Sequence, residues 1–287
     1  MVEELFEMID ECQTKEALIE FGYNAMTAPI LLEYRMQAWE RFVEKMQKLE
    51  PGDSKKTICV VDLSALFHAG FERVDDTIVW IERKISGWSK EYSHVILAID
   101  SDISWRIGRY PEYKSSRRSK TAEFIAGYNQ CIESMQGVCI VAECVGYEAD
   151  DVMGSVAFMA KLRRQACVAV TSDRDFWQCL GAGVCMYSYK HKEFRNKDWL
   201  VRVEGLTPKQ SVDYLSLVGK DDVPSAKGIG EKKAKALLAE YGSVDGIMDR
   251  LDELPARESV AVKEFYETNY WLARELHTLR NNLHVMW

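Results

Sequence analysis

The chain has 287 residues, 47% of them hydrophobic, enough to bury a sizeable core and to form two domains. Its formal charge is −8, but residues 1–55 hold twelve Asp/Glu against six Lys/Arg, so residues 56–287 net only −2. That balance leaves a nucleic-acid partner open, because local patches decide it. The acidic start "MVEELFEMIDE" and the lack of a long apolar run argue against a signal peptide and a membrane span.

In chain order, residues 1–56 read as an acidic helical extension that closes with a linker, "LEPGDSKK" (49–56). The pattern then changes. "TICVVD" (57–62), "HVILAID" (94–100), "VCIVAE" (138–143) and "ACVAVTSD" (166–173) are short apolar runs of buried-strand type. Amphipathic helical stretches lie between them, around 76–90, 121–136 and 148–164. Strands alternating with helices predict an α/β core over 57–204, with a mostly parallel central sheet flanked by helices. From about 208 the strands vanish. Helices are expected over 208–218, 230–241, 243–251 and 256–280, giving a helical domain over 205–287. The eight cysteines (Cys12, Cys59, Cys131, Cys139, Cys144, Cys167, Cys179, Cys185) form no C-x-x-C pair. Reduced core thiols are expected, in a cytoplasmic protein or a viral protein acting in a host's cytoplasm or nucleoid.

Three predicted strands end in aspartate: Asp62, Asp100 and Asp173, the last followed by Asp175. One such residue is more often a turn former or helix cap. In an open parallel sheet, however, the carboxyl ends of the strands share a rim where ligands bind. The stretch "GYEADDVMG" (146–154) adds Glu148, Asp150 and Asp151 at the start of the next helix. Such crowding raises carboxylate pKa values and destabilises the fold unless cations bind. An all-oxygen donor set without His or Cys suits Mg²⁺ or Mn²⁺. Two such ions, about 4 Å apart, form the clamp used for in-line phosphodiester chemistry.

A basic stretch follows, "SWRIGRYPEYKSSRRSK" (104–120), with Arg106, Arg109, Lys114, Arg117, Arg118 and Lys120 against Glu112. Trp105, Tyr110 and Tyr113 are interleaved, a composition that suits a single-stranded backbone and its bases. A solvated surface loop is the plainer reading of the same residues. The third element is "SAKGIGEKKAKALLAEYG" (225–242). Gly228 and Gly230 make a tight turn between helices, open to an anion at a helix N-terminus. Lys227, Lys232, Lys233 and Lys235 add charge of the kind that grips duplex phosphates without reading sequence.

In this order the motifs resemble the flap endonuclease/5′→3′ exonuclease family, which includes the 5′-nuclease domain of bacterial DNA polymerase I and standalone phage exonucleases. "VVDLSALFHAGF" looks like the family's first strand and its metal Asp. "YPEYKSSR" resembles P-x-Y-K-x-x-R, "GYEADDVMGSVA" G-x-E-A-D-D, and "VTSDRDFWQCL" the S-x-D-x-D strand end. "LSLVGKDDVPSAKGIGEKKAKALLAEYGSVDGI" is similar to the helix–three-turn–helix, and "ARELHTLRNNL" to the closing segment. The resemblance covers about 57–284. It implies a PIN-like 5′-nuclease fold in which Asp62, Asp100, Glu148 and Asp150 hold one metal, and Asp151, Asp173 and Asp175 build or border a second. Lys114 and Arg117, at the base of a helical arch, would steady the scissile phosphate, and Tyr113 would stack on the terminal base. The hairpin would hold downstream duplex, in some members with K⁺ on backbone carbonyls. Attack by metal-activated water would leave 5′-phosphate products.

Two departures stand out. The family's G-D-x-x-D-N is here "GKDDVP" (219–224), two residues shorter, with Lys220 after the glycine. Asp221 and Asp222 are adjacent, so only one is expected to face the rim as a surviving second-metal ligand. Residues 1–55 have no counterpart and are expected to cover the nuclease, meet a replication partner or form an appendage. The expected function is a structure-specific 5′ nuclease acting on DNA with a 5′ flap, a 5′ end or a nick, or on an RNA primer–DNA hybrid. No polymerase segment follows residue 287, so a polymerase would be a separate chain. A catalytically weakened branched-DNA-binding relative and a PIN-type ribonuclease are the competing readings.

Overall fold

A computed structural model describes residues 57–285 apart from 72, 74, 75 and 182. The helical reading of residues 1–56, their partner contact and Cys12 lie outside the described residues. Six strands form one sheet in the order β3-β2-β1-β4-β5-β6: β1 (Ile58–Asp62), β2 (His94–Ala98), β3 (Ile140–Ala142), β4 (Cys167–Val170), β5 (Val184–Ser188) and β6 (Glu193–Arg195). All neighbours are parallel except β5 and β6. The chain builds β1, β2 and β3 outward on one side, then returns to lay β4 on the other side of β1. That reversal opens a crevice between β1 and β4 at the carboxyl edge, where parallel sheets bind ligands. The register brings the strand ends level: Asp62 pairs with Ala98, Ala98 with Ala142, and Val61 with Val170.

Period-two alternation sends β1 into two separate apolar layers. Ile58 and Val60 face one, Cys59 and Val61 the other. The second layer is roofed by α1 (Leu63–Phe71), α2 (Thr77–Glu91) and, past the short α3 (Trp105–Arg109), α4 (Ala122–Met135). The sequence showed no separate helix at "LSALFHAGF", because its apolar content merges with the strand before it. The approach of α1 to α2 needs Gly70, where a Cβ would stand 2.9 Å from Thr77 Cγ2 and 3.1 Å from the Trp80 ring.

The first layer lies under α5 (Ala149–Leu162) and continues into the helical half without a break. It joins Ile58 and Val156 to Tyr214, Leu238, Phe265 and Leu279. That half contains α6 (Ser211–Val218), α7 (Glu231–Tyr241), α8 (Val244–Met248), α9 (Ala256–Thr268) and α10 (Tyr270–His277). The expected single helix over 256–280 is interrupted at Asn269, which ends α9 and begins α10. Strand β6 was not legible, being three residues long with two of them charged, and β5 (VCMYS) was not read as a strand. The seven described cysteines are free, and burial pushes the Cys59 and Cys179 thiols up to about 12.

A buried ionic knot ties three distant segments. Arg106 is 2% exposed; its Nη1 and Nη2 donate to Asp151 Oδ2 and Oδ1 at 2.6 and 2.9 Å, and its Nε donates to the Leu276 carbonyl at 2.8 Å. Asp151 also accepts the Arg280 N–H at 2.8 Å and Trp105 Nε1–H at 3.1 Å. Arg106 and Arg280 lie 4.7 and 4.1 Å from the Trp105 ring. Removing one member of a buried pair leaves the other charge uncompensated. Arg106→Met is therefore expected to lower unfolding free energy by about 3–5 kcal/mol, read as a lower midpoint in urea. A midpoint within error of the wild type would contradict this role.

Candidate active site

Four chain segments deliver the rim acids. Asp62 is the last residue of β1, and its Oδ1 accepts the Ala65 N–H at 2.8 Å. Asp100 follows β2 and accepts the Ala149 N–H, at the start of α5, at 2.9 Å. Asp150 sits in the first turn of α5, where a helix N-terminus favours negative charge. Asp173 and Asp175 lie just past β4, where Asp173 Oδ1 accepts the Asp175 N–H at 2.8 Å. One carboxylate oxygen each of Asp150, Asp173 and Asp175 falls within 4.8 Å of the others.

The electrostatics follow. Burial pushes the Asp62 carboxyl up against the pull of the Ala65 N–H, the Asp100 and Asp173 charges push further, and it stands at about 7. Burial, then Asp173 and Asp62, push Asp150 well above the usual carboxylate range. Asp150 Oδ1 is buried without a hydrogen-bond partner. Carboxylates raised by one another, with a buried orphan oxygen, are a donor set that fits one hard divalent cation. Asp62 and Asp150 would hold it, with Asp100 and Asp173 beside them.

Several expected roles are corrected. Asp151 is fully buried and saturated by Arg106, Trp105 and Arg280, so it has no oxygen for a metal. Arg106, its partner, has no surface to offer DNA. Glu148 caps α5 and takes four donors: Lys114 Nζ at 2.9 Å, Tyr113 Oη at 3.1 Å, Arg106 Nη1 at 3.2 Å and Ser104 Oγ at 3.3 Å. It holds the basic stretch instead of facing an ion. Tyr113 is buried beneath that contact and cannot stack on a base. Asp222 turns away from the rim, and Asp221 stands at its mouth already paired with cations. Asp221 Oδ1 accepts Arg117 Nη2–H at 2.5 Å and Nε–H at 3.0 Å, and Asp222 Oδ2 accepts the Ser116 N–H at 2.8 Å. Both adopt positive φ, 57° and 62°, a left-handed conformation that Asp tolerates better than most side chains.

The residue that reaches the rim from this loop is Lys220. Its Nζ donates to Asp173 Oδ1 and, at 2.8 Å, to Asp175 Oδ2. On the far side, His277 Nδ1 is 3.4 Å from Asp175 Oδ1. Burial alone would push the Asp175 carboxyl up, but Lys220 and His277 outweigh it and hold it below the usual range. Neither Lys220 nor His277 was assigned a role from sequence. The visible signal was a lysine where the family pattern has aspartate.

Of the remaining basic residues, Lys114 and Arg117 stand at the mouth of the rim, paired with Glu148 and Asp221. Arg109 is exposed and pairs with Glu275; Arg118 is exposed; Lys120 lies 5.4 Å from the Phe124 ring. At the hairpin, Gly228 has φ +83° and Gly230 caps α7. Lys227 and Lys232 are exposed, whereas Lys233 pairs with Glu258 and Lys235 with Glu204, both at 2.6 Å.

A mostly parallel α/β sheet with an acidic switch point is thus joined to a helical half that carries a glycine-rich hairpin. Two consecutive family models match the chain: "5′-3′ exonuclease, N-terminal resolvase-like domain" over residues 75–204 and "5′-3′ exonuclease, C-terminal SAM fold" over residues 206–287. The chain belongs to the 5′-3′ exonuclease family. It is 34% identical over 175 residues to a 5′-3′ exonuclease of Mycoplasma pneumoniae, covering 58% of this chain and 60% of that one. It is 28% identical over 202 residues to the flap endonuclease Xni of Pseudoalteromonas translucida, covering 69% and 77%. The match thus spans less than two thirds of the Mycoplasma protein, and only 22% of a DNA polymerase I of Borreliella burgdorferi. The fold is shared with the bacteriophage T5 D15 flap endonuclease in a complex with DNA and metal ions. The TM-score is 0.69 at 18% identity, covering 78% of this chain and 90% of that one.

The raised Asp62 carboxyl has a pH signature. Folded, it keeps a proton that the unfolded chain releases near pH 4. The folded state therefore binds more protons between about pH 4 and 7, and stability contributed by this group falls as pH rises through that window. In EDTA, the melting temperature of wild type minus that of Asp62→Asn should decline from pH 5 to pH 7.5. Millimolar Mg²⁺ should remove the decline. A rising difference in EDTA would refute the crowding of this rim.

Proposed function

We propose that the protein is a divalent-metal-dependent 5′ nuclease that hydrolyses phosphodiester bonds of DNA bearing a 5′ flap, a 5′ end or a nick, with Mg²⁺ or Mn²⁺ as its ion. The observation that carries this reading is the buried, unpartnered Asp150 Oδ1, beside Asp62, both carboxyls being raised by burial and by neighbouring acids. A bound divalent ion would polarise the phosphoryl oxygen and acidify a water.

The rest is done by the chain itself. Asp62 and Asp150 fix the ion at the switch point, and the β1 and α5 backbones fix the carboxylates. Lys114 and Arg117 flank the same cleft, each paired with a carboxylate whose place a phosphate oxygen would take. Their positive charge then meets the charge that develops in the transition state. The exposed Lys227 and Lys232 and the amide-rich start of α7 hold duplex phosphates some distance from the cut, which sets where the strand enters the cleft. DNA-bound structural neighbours and DNA polymerase I relatives support a replication or repair setting.

Cleavage of a 5′-labelled flap and of a nicked duplex, with product lengths resolved in Mg²⁺ and in Mn²⁺, tests the reading directly. Asp150→Asn should slow cleavage at least about 10³-fold while DNA binding holds or tightens, because one less negative charge repels phosphate. Near-normal turnover would remove the rim from the chemistry. Exchanging Lys227 and Lys232 together for Ala should weaken duplex binding equally across sequences. The slope of log affinity against log salt should flatten by roughly one unit per lost contact. An unchanged slope would leave the hairpin a structural turn.

A further inference from the structure

The acids past β4 would be the natural seat of a second ion, yet the residues there do not fit one. Two independent observations say so. The acids of the loop that should complete the ligand set are committed elsewhere, since Asp221 Oδ1 is bound to Arg117, its Oδ2 lies beside the Lys220 ammonium, and Asp222 Oδ2 is bound to the Ser116 amide. And the space between Asp173 and Asp175 is already bridged by the Lys220 ammonium, whose side chain is only 17% exposed. A cation placed on those two carboxylates would have to evict a positive charge from its two nearest partners.

The loop is built to hold that arrangement. Gly219, at φ +78°, makes the turn out of α6; a Cβ there would stand 2.9 Å from Ser225 Cβ and Oγ. The Asp221 carbonyl accepts the Lys114 N–H at 2.9 Å, and the Lys220 carbonyl accepts the Val223 N–H at 3.1 Å. With both flanks pinned, the residue after Gly219 is the one directed onto the rim. Asp221 Oδ2 stands 3.7 Å from the same ammonium.

We propose that Lys220 is a built-in cation in place of the second divalent ion, so that the protein binds one ion where a two-ion site would bind a pair. The proposal rests on the metal-dependent reading above and refines it. An ammonium offsets part of the charge of Asp173 and Asp175 at any metal concentration and demands no octahedral shell. It brings one charge instead of two and offers no coordination position for water or a phosphate oxygen. Asp173 is thereby shared: one oxygen is committed to Lys220, and the rest of the carboxylate adjoins the Asp62–Asp150 site.

The test counts ions on the full chain. Mn²⁺ is titrated into wild type, Lys220→Arg, Lys220→Ala and Lys220→Asp, with stoichiometry read by calorimetry and by electron paramagnetic resonance. Surface binding is subtracted with Asp150→Asn. One Mn²⁺ is expected for wild type and for Lys220→Arg. Two are expected for Lys220→Asp, with the spectrum of a spin-coupled pair about 4 Å apart. Two ions on the wild type would overturn the proposal while leaving the metal-dependent reading intact, and this count needs no Lys220 variant to fold. A single ion on both Lys220→Ala and Lys220→Asp would also overturn it. No ion on any form would overturn the metal-dependent reading itself, and this proposal with it.

Discussion

Like charges held a few ångströms apart in a partly dehydrated cleft are the constraint around which this protein is organised. At 4 Å and an effective dielectric near 20, each such pair repels by about 4 kcal/mol. The described residues answer this charge in three ways. Arg106 neutralises Asp151 and shares Glu148. Lys220 offsets part of the charge of Asp173 and Asp175. The first amide of α5 accommodates Asp100. What remains uncompensated, Asp62 and Asp150, is where a cation has most to gain.

The same residue type therefore does opposite work at adjacent positions. Asp150 and Asp151 are neighbours in one helical turn, about 100° apart around its axis. One looks onto the crevice; the other looks inward onto a guanidinium. Likewise Arg106 and Arg109 share a five-residue helix, and one is buried while the other lies on the surface.

That divergence marks the limit of what the sequence disclosed. The apolar runs for β1, β2 and β4 and the acids at their ends were legible, because period and position encode them locally. The partner of each acid was not. Nothing within "GYEADD" distinguishes an Asp that meets Arg106 from one that meets a cleft, since Arg106 lies more than forty residues away in the chain. Counting Arg106 with the basic patch followed composition, and composition cannot see burial. Asp221 and Asp222 misled for a backbone reason: their left-handed conformation aims both side chains at the 114–118 segment. Strand β6 escaped because it is an edge strand of three residues, two of them charged.

The knot around Arg106 also bears on how the protein is made. Its bond to the Leu276 carbonyl closes a sequence separation of 170 residues, and the Arg280 amide reaches Asp151 across 129. Contacts of such high order form late, because the loop they close must first be ordered. During synthesis, the strands and α5 emerge well before α10 does, and until then Asp151 lacks part of its shell. Until the tail of the chain has been made, Arg106 lacks the Leu276 carbonyl and Asp151 lacks the Arg280 amide, so the knot is incompletely paired. A stall or frameshift upstream of α10 would thus leave a product that the cell can recognise as unfinished by its unsatisfied interior.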